Sequence, residues 1–216
     1  MKKILSLLLA SVLLLAMCAS SFAEEAEVEY SFEFLSDTEA AVSSFLGCVE
    51  SIHLPSNAGH RYVTAIGDSA FEFADTLVYV KVSSYVKQIG DYAFHGCTFL
   101  QKIDLPQSVE AVGKYAFQSC TNLKGITLPE GITSLEEGTF MFCPDLSEVK
   151  LPSTLQSIGE NAFVFCLALK ELSIPASVTA IAPEAFVDCP DLTLTVADGS
   201  YAMEYAEENG IPFVVA

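Results

Sequence analysis

The chain has 216 residues, of which 51% are hydrophobic, and its 28 acidic against 10 basic residues give a formal charge of −18. That balance makes it a poor partner for DNA, RNA or an anionic lipid surface. The length suffices for one domain with a large core, and so apolar yet so acidic a chain stays soluble only if its apolar residues are periodic and internal.

At the N-terminus, Lys2 and Lys3 precede an apolar run from Ile4 to Met17. Ser21-Phe22-Ala23 then offers small residues at the two positions a signal peptidase reads. The run is short for a membrane span, and an acidic stretch rather than a basic stop follows it. Residues 1–23 read as a cleaved secretory signal, with Glu24 opening a mature chain of formal charge −20, because two lysines and no acid leave with it. The rival reading is a lipoprotein signal ending at Leu15-Ala16-Met17-Cys18, but Met17 is not the small residue such a signal needs before its Cys. No second apolar span follows, so no membrane span is expected after cleavage.

Residues 24–62 form an opening segment, and from residue 63 the chain repeats. Phe71, Phe94, Phe117, Phe140, Phe163 and Phe186 stand 23 residues apart, without a gain or loss. Three residues after each comes Ala74, then Cys97, Cys120, Cys143, Cys166 and Cys189; six after each comes Leu77, Leu100, Leu123, Leu146, Leu169 and Leu192. A fixed period of this length is the signature of a solenoid, in which one coil cannot bury its own apolar face but stacked coils can. Within one repeat, Leu100-Gln-Lys-Ile103-Asp-Leu105-Pro106 alternates apolar and polar residues as a strand does, and Pro106 ends it for want of an N–H. Val109 and Val112 point inward from a second extended stretch. Gly113 turns the chain, and Lys114-Tyr115-Ala116-Phe117 is expected to begin a helical turn that seats Phe117 in the core. Coils stacked this way sit about 4.8 Å apart.

The repeats span residues 63–196. Ala74 takes the Cys column and Ser83 the Pro column in the first full coil, while Glu136 and Ala182 replace the turn glycine. After Leu192 the pattern is expected to fail, since Thr195 and Ala197 fall at apolar positions. Residues 197–216 close the array. Tyr201–Asn209 reads as a short helix, with Ser200 as N-cap, Gly210 as stop and Pro212 beyond it, placed to cover the last open edge.

The pattern Leu-x-x-Ile-x-Leu-Pro-x-x-Val-x-x-Ile-Gly-x-x-Ala-Phe-x-x-Cys resembles the bacterial leucine-rich repeats called BspA-like, over about Val63 to Leu192. The resemblance extends to a closing tail, Gly199 to Phe213, and to an opening β-hairpin from Phe32-Glu-Phe34 through Ser51-Ile-His-Leu-Pro55 that turns near Asp37. It implies an α/β leucine-rich-repeat solenoid of about six coils with a hairpin cap and a helical cap. It also implies a secreted or cell-surface protein, some relatives being implicated in adhesion, and it brings no catalytic residue.

Six cysteines would survive cleavage, an even number that invites disulfides. Five of them, Cys97, Cys120, Cys143, Cys166 and Cys189, share one structural column, where stacked side chains run near-parallel and miss the ~90° dihedral of a disulfide. A buried reduced ladder is the expectation, with Cys acting as a small hydrophobe. Cys48 belongs to the opening segment, and the sequence leaves its partner open. Short Cys-x-x-Cys pairs are missing, as is a calcium loop, so no metal is expected. His53, His60 and His95 pair by spacing with no nucleophile, and no phosphate loop appears. Neither a cofactor nor an enzyme activity is expected.

What remains is surface. Lys81, Lys102, Lys124, Lys150 and Lys170 fall at outward positions of the strand segments, one per coil, with Asp104, Glu148 and Glu171 as the nearby acids and Thr127 on the same side. This sheet would line the concave face and be near neutral or mildly basic on an acidic protein. It is the expected binding face for an extracellular protein or glycan, although exposed lysines also serve to discourage edge pairing. A second candidate is an apolar ridge of Met141, Phe142, Val164 and Phe165, residues that neighbouring coils more ordinarily half bury. The expected function is non-covalent recognition outside the cell; the alternative is a structural component of the bacterial envelope without a soluble ligand.

Overall fold

The computed structural model describes residues 28–216, and the expected signal at residues 1–23 lies outside the described residues. The chain opens with an antiparallel hairpin, β1 (Glu29–Phe34) and β2 (Glu39–Leu46). Each coil then supplies one strand to a first face and one to a second. They are β3 (Ser51–His53), the short β4 (Asn57–Ala58) and β5 (Arg61–Ile66), then β6 (Tyr79–Lys81) and β7 (Gln88–Ile89). β8 (Lys102–Asp104) and β9 (Ala111–Val112), β10 (Gly125–Thr127) and β11 (Ser134–Leu135), and β12 (Glu148–Lys150) and β13 (Ser157–Ile158) follow. β14 (Glu171–Ser173), β15 (Ala180–Ile181), β16 (Thr193–Val196), a helix α1 (Tyr201–Asn209) and β17 (Phe213–Val215) complete the chain.

The opening hairpin is shorter than expected. Its return arm ends at Leu46, and Ser51–His53 is instead the first rung of the first face, pairing in parallel with β6. The hairpin joins the solenoid through the second face, where β2 pairs in parallel with β5. A small antiparallel pair, β4 with β5, folds around Gly59, whose φ of 65° is the left-handed conformation that glycine adopts without steric cost.

The Phe column forms a stack in the core. Successive rings from Phe71 to Phe186 lie 5.0, 5.4, 5.6, 5.5 and 5.3 Å apart, all near-parallel. Phe45 extends it at the front at 5.1 Å and Tyr205 of α1 at the back at 6.1 Å. Beside it the five column cysteines are free thiols. Each S–H donates to the carbonyl of the Phe one coil back, from Cys97 to Phe71 at 3.0 Å through to Cys189 to Phe163 at 3.0 Å. Burial pushes the Cys97 and Cys143 thiols up to about 12, and those of Cys120 and Cys166 well above their ordinary value. Cys48 is not a free thiol.

The turn side is not helical. Tyr115 and Ser119 have φ of 56° and 59°, and both positions recur in left-handed conformation along the array: Ser69, Tyr92, Tyr115, Gly138 and Asn161 in one column, Phe73, Gly96, Ser119, Phe142, Phe165 and Asp188 in the other. A left-handed residue cannot continue a right-handed helix. Alternate amides instead point to the next coil: Tyr115, Phe117 and Ser119 donate to the carbonyls of Glu137, Thr139 and Met141 at 2.8, 3.0 and 2.9 Å. The amides between them close local turns, as Gln118 does on Tyr115 at 3.0 Å. This hydrogen-bonded turn ladder links each coil to the next from Ser69 to Val187, short of a rung only at the Asn161 amide.

Both sheet faces, by contrast, are interrupted. The first face pairs β3, β6, β8, β10 and β12, stops, and resumes as β14, β16 and β17; the second stops between β9 and β11. Glu148 and Glu171 occupy the same position of the repeat, so pairing β12 with β14 would set two carboxylates directly opposite each other. The second gap falls where Glu136 replaces the turn glycine. A Cβ at the preceding glycine of that column, Gly113, would lie 2.6 Å from the Asp91 amide. The smaller Ala182 in the same column keeps its bond to the Ile158 carbonyl at 2.9 Å.

The array does not fail after Leu192. The last coil is one residue shorter, so Leu172 stands opposite Leu194 and Ser173 opposite Thr195. That slip puts Leu194 and Val196, both buried, where Thr195 and Ala197 would have stood. Ser200 caps α1 by accepting from the Met203 amide at 3.3 Å, and Gly210 ends it at φ 66°. The helix sits over the end of the core, with the Tyr205 hydroxyl donating to Ala182 and Pro183 carbonyls. The last edge of the first face is filled by β17 rather than by the helix.

Candidate interaction surfaces

The first face alternates strictly, because a strand sends successive side chains to opposite sides. Val80, Ile103, Ile126 and Leu172 face the core, while the residues flanking them face solvent. All five lysines are exposed, but they do not form one row. Lys81 and Lys150 end their strands, Lys102 begins one, and Lys124 and Lys170 stand just before one. The three acids interleave with them: Asp104 is opposite Lys81, and Glu148 is opposite Gly125.

These side chains meet at two neighbouring depressions. One, of about 580 Å³, has Lys102, Lys124, Lys150, Asp104, Thr127 and Glu148 on its walls. Gly125 leaves its floor bare, and an isolated glycine inside a strand lets another group approach the backbone closely. The second, of about 510 Å³, is lined by His53, Ser56, Lys81, Ser83, Ser84 and Asp104 among others. Lys170 borders neither, standing beyond the gap after β12.

Asp104 is shared by both and is held by two side-chain partners. It accepts from the Tyr79 hydroxyl at 2.6 Å and pairs with the Lys102 ammonium at 3.1 Å, and that ammonium lies 5.5 Å from the Tyr79 ring centroid. The Tyr79 hydroxyl, then desolvation offset by Lys102 and Lys81, holds the Asp104 carboxyl below its ordinary range, and the same hydrogen bond raises the Tyr79 hydroxyl. His53 packs edge-on against Tyr79 at 6.3 Å. Tyr79 and His53 are members of this surface that the lysine pattern passes over. Tyr79 lies one repeat before Lys102, so the period itself points to it.

On the turn side, Phe142 and Phe165 are exposed with ring centroids 5.2 Å apart, and Met141 is half-buried. Val164 drops out of the expected ridge: it is buried, an apolar side chain small enough to be covered within its turn. His95 is wedged between the rings of Phe73 and Tyr92 at 5.0 and 5.8 Å. Phe73 lies across Gly96 and Tyr115 across Gly138, where a Cβ would meet the ring at 2.4 and 2.2 Å. Tyr115 and Lys114 both bond Glu137, the latter at 3.2 Å. Among the described residues, no cluster of three or more His, Cys, Asp and Glu is placed to hold a metal ion, and no helix is long and apolar enough to cross a membrane.

The family described as BspA type leucine rich repeat region matches residues 64–193 in six copies. Among solved structures, a leucine rich repeat protein of T. pallidum superposes with a TM-score of 0.76 at 27% identity, over 87% of this chain and 96% of that one. A leucine rich cell surface protein from Faecalibacterium prausnitzii A2-165 superposes with a TM-score of 0.62 at 30% identity, over 82% of this chain. This chain spans only 56% of that protein's length. No curated protein matches the chain.

Proposed function

We propose, from the premise that the chain belongs to the BspA-type leucine-rich repeat family, that it is a non-catalytic recognition module acting outside the cell. In this reading it binds an extracellular protein or glycan through the first sheet face. The observation that carries this is the meeting of Lys102, Lys124 and Lys150 around a bare glycine floor on a chain of formal charge −18. Five of the eight lysines and arginines after residue 23 are gathered on this face, whose outward side chains vary from coil to coil. Asp104, held by Tyr79 and Lys102, offers a fixed acceptor between them. The family supports an interaction module, and the cell-surface description of the F. prausnitzii protein supports an extracellular setting.

The test is capture from extracellular-matrix and mucin preparations by the chain lacking residues 1–23. It is run beside a version with Lys81, Lys102, Lys124, Lys150 and Lys170 changed to Glu. A ligand retained by the first and lost by the folded second is the expected result. Equal capture by both removes the face from the reading. Capture by neither, with the protein held in the envelope fraction of its cell, points to a structural component instead.

A further inference from the structure

The array carries a second, differently built surface on its turn side. Phe142 and Phe165 have φ of 60° and 61°, a region that a bulky L-residue enters only at a steric cost. Gly96, Ser119 and Asp188 meet the same requirement with small or polar residues. Phe73 shares the conformation, but its ring has local work to do, lying over Gly96 and against His95. Phe142 and Phe165 pack against each other at a tilt of 39° and remain 38% and 40% exposed. The apolar ground continues around them. The Phe165 amide donates to the carbonyl of Val187, which is 45% exposed, and Leu167, two residues on from Phe165, is also 45% exposed. Strain and exposed apolar area are both spent here with no return to the core.

Within the ridge's own three turn segments the charge is of one sign. The turn segments 136–145, 159–168 and 182–191 contain no lysine or arginine. Asp145, Glu160, Glu184, Asp188 and Asp191 are exposed in them, with Asp188 next in the column after Phe165. Such a rim repels a second copy of so acidic a chain and an anionic membrane alike, and attracts cations. We infer that the Phe142–Phe165 ridge is a docking site for a cationic, amphipathic protein segment, with an apolar side chain seated on the paired rings and lysine or arginine side chains meeting the acidic rim. This surface is separate from the sheet face, and the inference stands whether or not that face binds a ligand.

The test uses the full chain and a synthetic leucine–lysine amphipathic peptide, followed by fluorescence anisotropy. Two control peptides carry Glu in place of Lys, or Ser in place of Leu. Phe142→Gly with Phe165→Gly is the informative variant, since glycine suits the left-handed backbone and leaves the fold intact. The expected result is saturable binding of the leucine–lysine peptide alone, weakened about tenfold or more by the glycine pair. Lys102→Gln with Lys124→Gln on the sheet face should leave it unchanged. Equal binding by the glycine pair, equal binding of the serine peptide, or no binding overturns the inference. So does sedimentation showing that the chain self-associates through the ridge, which would make a second copy the occupant.

Discussion

The first sheet face and the turn ladder are built from the same period, yet they carry different loads. Hydrogen bonds of the turn ladder pass from every coil to the next between Ser69 and Val187, with the Phe stack and the thiols directly beneath. The sheet ladder of the first face is interrupted after β12. The difference teaches where sequence freedom lies. Residues of the turn must fit left-handed positions and a column of rings, so the ladder holds the solenoid together. Outward residues of the sheet need fit nothing inside, so charges vary from coil to coil there, even to the point of setting Glu148 and Glu171 in one column.

The comparison is broken most directly inside the ladder. Phe117→Ala removes a fully buried ring between two stacked neighbours and should cost about 3–5 kcal/mol, whereas Lys124→Ala on the sheet face should change stability by less than about 0.5 kcal/mol. Urea unfolding of the two variants checks this, and similar costs for both would deny the ladder its role.

Alkaline pH is the next lever. Burial holds the Cys97 and Cys143 thiols at about 12, above the 9.0 of an exposed thiol. The folded chain therefore keeps protons that the unfolded chain releases. Stability should be full below pH 9 and fall as pH rises from about 9 towards about 12. Cys143→Ala should flatten that fall, read as the slope of stability against pH rather than its absolute value. Tyr79→Phe should flatten it less, because the Tyr79 hydroxyl is raised chiefly by its hydrogen bond to Asp104 rather than by burial.

A finer contrast comes from one substitution made in both regions. Gly96→Ala forces a Cβ into a left-handed residue beneath the Phe73 ring and should cost about 1–2 kcal/mol. Gly125→Ala, at an ordinary φ with its closest contact 3.2 Å from Glu148, should stay within about 0.5 kcal/mol while narrowing the floor of the lysine-lined depression. Thermal unfolding of both decides whether the glycines serve backbone geometry in one region and open space in the other.

Much of the core was legible without coordinates. Phe117, Cys120 and Leu123 recur because every coil must present the same inward shape to its neighbours, and that demand is local and periodic. The helix at Tyr201–Asn209 was legible from its cap residues for the same local reason. The candidate surfaces were legible only in part: the lysines and the two Phe residues could be named, but not their company. Tyr79 holding Asp104, Lys170 standing apart and Val164 turning inward depend on which side chains meet across coils, and the period is silent on that.

By itself, then, the sequence determined the solenoid, its repeat length and its inward columns, because burying one apolar stripe per coil admits a single periodic solution. Tertiary structure alone decided the left-handed turns in place of helical ones, the one-residue slip that seats Leu194 and Val196, and the gaps in both sheets. Each of these is settled by how a coil fits against the coil beside it, where a carboxylate, a Cβ or a single residue of register changes which backbone groups can pair.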